Sequence, residues 1–287
     1  MAEDIPAFLT AQGLPLSARA AVEQIHAPLS DWLAGQRATG PMLVGLCGAQ
    51  GSGKSTAALI LRHLLEARGL KVAILSIDDL YLTHAERQAL AKAVHPLLAT
   101  RGPPGTHDVA LGEAVLDALG QPGPTAIPSF DKASDDRRPS EAWPVFEGPA
   151  DIILFEGWCV GARPEAPAAL AAPINTLERE DDPDGVWRGY VNEALALYQP
   201  LFARLDKLIL FAAPSFDIVQ RWRGEQEEKL RAASDGKAPR VMTEAEVARF
   251  IQHYERLTRS ILKEMPSRAD ALVDLGEARE LRRLTFR

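Results

Sequence analysis

Residues 48–55 read Gly48-Ala49-Gln50-Gly51-Ser52-Gly53-Lys54-Ser55. The spacing matches G-x-x-x-x-G-K-[ST], a pattern whose backbone N–H groups turn inward onto phosphate oxygens. Gly48, Gly51 and Gly53 allow the tight turn, since glycine adopts backbone conformations closed to other residues. Before the motif, residues 42–47 (M-L-V-G-L-C) form an apolar run of strand length. After it, apolar residues at Ala57, Leu61, Leu64 and Leu65 recur at helical spacing. Strand, glycine-rich turn and helix in that order predict a nucleotide-phosphate site. Lys54 brings a point charge to the β- and γ-phosphates, Ser55 offers a hydroxyl to Mg²⁺, and the helix N-terminus adds its positive end. The predicted ATP-binding set is Gly48, Ala49, Gln50, Gly51, Ser52, Gly53, Lys54, Ser55 and Thr56.

Outward from this segment, four more apolar runs lie at residues 71–77, 151–156, 207–212 and 269–275. They are apolar nearly throughout, as strands covered on both faces of a parallel sheet are. Helical stretches separate them at residues 56–68, 109–119, 190–205, 216–233 and 243–264. Thr243 and Glu246 form a capping-box pattern at the start of the last. The alternation predicts an α/β P-loop NTPase fold, a three-layer sandwich with a mainly parallel five-stranded sheet. Residues 1–40 read as a helical N-terminal extension, with a stripe of Val22, Ile25, Leu29, Trp32 and Leu33 and a kink at Pro28. Residues 41–287 read as the nucleotide-binding domain. Its loops at 102–107 and 121–149 are long and rich in Gly, Pro, Ser and Asp, and long ordered loops are often functional.

The chain has 287 residues, 46% hydrophobic and 25% charged, a composition that fits a soluble globular protein. With 32 basic and 39 acidic residues the net charge is −7, which weighs against nucleic acid or an anionic membrane as partner. No apolar run approaches the ~18 residues of a membrane span, and the N-terminus has no leader pattern. Cys47 and Cys159 have no zinc spacing and read as buried thiols of a reducing compartment, so a cytoplasmic location is expected. The histidines have no metal-ligand spacing, and no metal is expected beyond the Mg²⁺ carried with ATP.

Two strand ends carry carboxylates. Glu156 ends an apolar run and is placed either to support Mg²⁺ or to form a strand-end ion pair. Asp78 and Asp79 follow the second run, where open α/β sheets bind ligands. One can orient and deprotonate an acceptor hydroxyl and the other can help organise Mg²⁺, or Asp79 can cap the turn near Tyr81.

The ordered segments S-I-D-D-L-Y-L-T (76–83), P-G-T-H-D (104–108), P-S-F-D-K (128–132), D-R-R-P (136–139), L-F-E-G-W (154–158) and W-R-G-E-Q-E (222–227) accompany the phosphate motif. Together they resemble the P-loop small-molecule kinases, the group of uridine kinase, pantothenate kinase and phosphoribulokinase, and within it the plant-type D-glycerate 3-kinases. The resemblance implies phosphorylation of D-glycerate to 3-phosphoglycerate with ATP and Mg²⁺. It places Asp78 where the group has its catalytic Asp, and Asp108, beside His107, where relatives hold a substrate hydroxyl. Phe130 and Asp131 fall in a P-x-Y-D position, with Phe in place of Tyr. Arg223 falls in a lid helix that closes over the transferring phosphate, with Arg221 and Lys229 on the same helix.

A glycerate carboxylate requires a cation, and Arg101, Lys132, Arg137 and Arg138 in the long loops are the candidates. The expected catalytic set is Lys54, Asp78 and Arg223. The expected acceptor set is Asp79, Tyr81, Arg101, His107, Asp108, Phe130, Asp131, Lys132 and Arg137. Ser55 and Glu156 are the expected metal ligands. Pantothenate or a nucleoside as acceptor, and a non-catalytic ATP-dependent switch, are the alternatives.

Overall fold

A computed structural model describes residues 5–36, 40–233 and 242–287. The central sheet has six strands: β1 (Met42–Gly48), β2 (Val72–Ser76), β3 (Ile152–Gly157), β4 (Lys207–Ala212), β5 (Ala271–Leu275) and β6 (Leu281–Phe286), in the order β6-β5-β4-β1-β3-β2. The five expected strands are all present and mutually parallel where they pair. Every residue of β1 and β3 is buried, so both faces of the sheet centre are covered. The sixth strand is a correction to the sequence reading: β6 pairs antiparallel with β5 at the sheet edge. Its sequence, L-R-R-L-T-F, is half-buried or exposed throughout, so it lacks the continuous apolar run that marks the others.

The principal helices are α1 (Ile5–Ala11), α2 (Ala27–Gly35), α3 (Lys54–Glu66), α4 (His84–Ala93), α5 (Val109–Leu119), α6 (Thr176–Asp181), α7 (Val186–Leu197), α8 (Phe216–Ala233) and α9 (Glu244–Glu264). The stretch predicted as one helix over 190–205 starts earlier and breaks. After α7 a separate turn spans Gln199–Phe202, because Pro200 in its first positions has no N–H to continue the ladder. In the N-terminal extension a π-helical turn, Val22–His26, precedes α2, with Pro28 in the helix's first positions. Ile25, Leu29 and Leu33 join the main core, while Ile5, Leu9 and Val22 pack around Ile60 of α3. Residues 1–4 and 37–39 of the extension lie outside the described residues, as does the side chain of Lys229 on α8. No helix among the described residues is long and apolar enough to cross a membrane.

Strand register positions the site. Leu46 of β1 and Ser76 of β2 are both registered against Glu156 of β3. The carboxyl ends of three strands therefore emerge together, carrying the glycine-rich turn, the Asp78-Asp79 pair and Glu156.

Candidate active site

Gly51 and Gly53 have φ of +78° and +88°, a left-handed region that favours glycine. Gly51 is also pressed against α8: a Cβ there would lie 2.6 Å from the Cβ of Trp222. Arg279, in the turn between β5 and β6, donates from Nε to the Gly51 carbonyl at 2.7 Å, stacks on the Trp222 ring at 4.9 Å and pairs with Glu225 of α8 at 2.7 Å. The phosphate turn, the first half of α8 and the C-terminal hairpin are thus tied together. Sequence reading missed Arg279, because no local pattern links it to a turn 228 residues away.

Glu156 is buried on β3. Ser55 donates from Oγ to its Oε1 at 2.8 Å, and Lys54 Nζ stands 3.8 Å from its Oε2. Glu156 Oε2 has no hydrogen-bond partner among the described residues. A buried carboxylate oxygen without a donor, beside a serine hydroxyl and a lysine, fits a site completed by a cation and phosphate. No cluster of three or more His, Cys, Asp or Glu able to hold a metal exists among the described residues, so such an ion would draw its remaining ligands from phosphate and water.

Asp78 is the second residue of the single-turn helix Ile77–Leu80 at the end of β2. Tyr81 donates from its hydroxyl to Asp78 Oδ1 at 2.7 Å, and Lys132 donates to Oδ2 at 2.6 Å. Burial pulls this carboxyl upward, but the Lys132 and Lys54 charges and the two hydrogen bonds outweigh it and hold Asp78 well below the usual range. Asp79 behaves oppositely. Burial raises it to about 6, assisted by the Asp78 charge and opposed by its bond from the Phe130 N–H at 2.9 Å. Asp79 therefore anchors the small hairpin formed by Phe130–Asp131 and Asp136–Arg137, while Ser76 caps the turn.

The other expected acceptor residues differ in where they lie. His107 is buried, stacks on Tyr81 at 4.8 Å and shares a 2.8 Å hydrogen bond between Nδ1 and the Tyr198 hydroxyl. Its Nε2 has no partner among the described residues, and burial lowers its pKa to about 4, so the ring is neutral at pH 7. Phe130 is buried edge-on to Tyr81. Asp108 caps α5 through Oδ1 to Leu111 N–H, and its Oδ2 receives Arg137 Nη1 at 3.4 Å. Arg137 Nη2 also donates to the Tyr81 carbonyl at 2.8 Å. Arg101 pairs with Asp135 and lies over the Phe130 ring. Asp131 turns into its own loop, accepting from Ala133 N–H at 3.0 Å. Arg138 is exposed, and Arg223 lies over the Phe250 ring of α9 at 5.7 Å. The 102–107 loop is held by Trp158 Nε1 on the Gly102 carbonyl and by Tyr254 on the Arg101 carbonyl.

A second residue that the sequence reading missed is Arg87 on α4. It is 1% exposed and donates to the Leu82, Ala99 and Asp135 carbonyls at 3.2, 3.0 and 2.7 Å, and it pairs with the Asp135 carboxylate at 2.9 Å. One guanidinium thereby joins three separate segments of the chain. The signal that would have located it is the capping box of Thr83 and Glu86, which starts α4 and turns Arg87 inward. Replacing Arg87 with methionine should cost about 3 kcal/mol, because three carbonyls and a carboxylate lose their donor. Lysine should recover little of this, since its single ammonium cannot serve partners in several directions. A urea unfolding midpoint unchanged in both variants contradicts the reading.

No protein-family model matches the chain. Over 223 residues it is 35% identical to the uncharacterized kinase mug58 of Schizosaccharomyces pombe, covering 75% of this chain and 78% of that one. The D-glycerate 3-kinase from Cryptococcus neoformans superposes with a TM-score of 0.75 at 26% identity, covering 93% of this chain and 99% of that structure. The chain belongs to the glycerate 3-kinase-type family of ATP-dependent P-loop kinases. The chloroplastic D-glycerate 3-kinase of Arabidopsis thaliana is 31% identical over 257 residues, which are 83% of this kinase but 53% of that longer protein. This kinase therefore spans about half of the plant relative and nearly all of the fungal structure.

Proposed function

We propose that this kinase transfers the γ-phosphoryl group of ATP to the primary hydroxyl of D-glycerate, giving ADP and 3-phosphoglycerate. The observation that carries the reading is the meeting, at three aligned strand ends, of the glycine-rich turn with the Asp78 carboxylate and its paired Lys132 ammonium. The glycerate kinases among its relatives support the choice of acceptor.

In this mechanism Lys54 and the backbone N–H groups of the glycine-rich turn hold the β- and γ-phosphates. Ser55 and Glu156 would hold Mg²⁺, which would neutralise phosphate charge. Asp78 accepts a hydrogen bond from the acceptor hydroxyl and aligns its oxygen with the γ-phosphorus. The new bond joins that oxygen to phosphorus, the bond to the β–γ bridging oxygen breaks, and the hydroxyl proton passes to Asp78. The Tyr81 hydroxyl keeps the carboxylate fixed during this step. Neutral His107, whose buried Nε2 has no partner among the described residues, is the proposed contact to an acceptor hydroxyl. Arg223 acts from α8 to neutralise charge on the transferring phosphate. The reaction is expected in the cytoplasm and involves no nucleic acid or membrane.

The test is ADP release with Mg²⁺-ATP and D-glycerate, L-glycerate, pantothenate or uridine supplied separately. Release with D-glycerate alone is the expected result. Release with pantothenate or uridine but not D-glycerate moves the function to that acceptor. Slow hydrolysis indifferent to all four favours an ATP-dependent switch.

A further inference from the structure

Four cations were candidates for the acceptor's carboxylate, and the structure separates them. Arg101 is committed to Asp135 and to the face of Phe130. Arg137 spans Asp108 and the Tyr81 carbonyl, with its side chain largely buried. Arg138 is exposed next to the hairpin. Lys132 differs from all three: its ammonium lies 2.6 Å from Asp78 Oδ2 on a side chain 60% exposed. It follows a two-residue strand whose first N–H is anchored by Asp79, so the hairpin base is tied down beneath an exposed lysine side chain.

The pairing has a consequence for chemistry. With Tyr81 on Oδ1 and Lys132 on Oδ2, both carboxylate oxygens of Asp78 already have donors before any acceptor enters. An acceptor hydroxyl must compete for one of them. Only the lysine is exposed, so only the Lys132 contact can be exchanged cheaply. A neutral acceptor offers the ammonium nothing in return, whereas an acceptor with a carboxylate beside its hydroxyl offers a second anion.

We infer that Lys132 is the specificity-determining residue for a small hydroxy acid: the acceptor's carboxylate draws the ammonium away from Asp78 and so frees Oδ2 for the acceptor's own hydroxyl. Selection is then coupled to orientation, since an acceptor lacking the carboxylate leaves Asp78 paired. The strong depression of Asp78 by Lys132 in the free chain agrees with a carboxylate that binds its hydroxyl well only once the lysine has moved. This inference rests on the glycerate reading above.

The experiment compares the wild-type chain with Lys132→Met and Lys132→Arg, using D-glycerate and its neutral amide, D-glyceramide, as acceptors. For Lys132→Met, kcat/KM for D-glycerate should fall about 100-fold, the usual weight of a charge-assisted contact, with the KM for ATP unchanged. Its kcat/KM for the amide should rise, because Asp78 Oδ2 is then free without a carboxylate to draw an ammonium away, so the preference for acid over amide collapses. Lys132→Arg should keep most of that preference. Equal losses on acid and amide in Lys132→Met overturn the inference and assign the lysine to the transferring phosphate. An unchanged acid-to-amide ratio overturns it as well. A wild-type chain inert toward D-glycerate defeats the glycerate reading and this inference together, whereas a wild-type chain active on D-glycerate with an insensitive Lys132→Met defeats the inference alone. Melting curves for Lys132→Arg should match wild type, whereas Lys132→Met loses the exposed ion pair to Asp78 and should melt slightly lower.

Discussion

Lys54→Ala is expected to lower turnover by about 10²–10³-fold, the scale of losing a preorganised charge at a developing anion. The reason is positional. Lys54 is the first residue of α3, its side chain is 13% exposed, and its ammonium lies 3.8 Å from Glu156 between the phosphate turn and the strand ends. That separation is long for an ion pair, so the lysine is held near Glu156 without being spent on it. The fold should survive, because Glu156 keeps its 2.8 Å bond from Ser55 and α3 keeps its buried face of Ala57, Ala58, Ile60, Leu61 and Leu65. Steady-state kinetics beside a thermal melt checks this. Turnover at the wild-type rate with a normal melt removes Lys54 from the phosphate site.

Asp78→Asn is expected to lower kcat by about 10²–10⁴-fold, the range for a lost general base, while leaving the KM for ATP near its wild-type value. Asparagine preserves the shape and still accepts from the Tyr81 hydroxyl, so the turn at the end of β2 should hold. What disappears is the charge that receives the acceptor's proton and the ion pair to Lys132. The split is informative: damage confined to kcat places Asp78 at the reacting oxygen, whereas loss of ATP affinity places it at the nucleotide. An unaltered kcat takes Asp78 out of the mechanism.

The two substitutions probe halves of the site that differed in how far they were readable. The phosphate half is local. Strand, glycine-rich turn and helix run consecutively from Met42 to Glu66, and the motif itself dictates where backbone N–H groups and Lys54 point. The capping box at Thr243 was legible for the same reason, since its partners are three residues apart. The acceptor half is assembled from separate segments. Lys132 reaches Asp78 across 54 residues and Arg137 reaches Asp108 across 29. Resemblance supplied names for these positions but could not divide the loop cations into those already committed and the one resting on Asp78.

The linear chain by itself determined the α/β class, the five parallel strands and the phosphate turn, because continuous apolar runs and glycine spacing express constraints that act within one segment. Only the tertiary structure decided the rest. The edge strand β6 is defined by pairing with β5 rather than by its own hydrophobicity. Asp79 became a hairpin anchor because Phe130 N–H was brought to it. Arg87 could be buried only because carbonyls from three segments converge on its guanidinium, and the cost of burying a charge is set by its surroundings, not by its sequence neighbours.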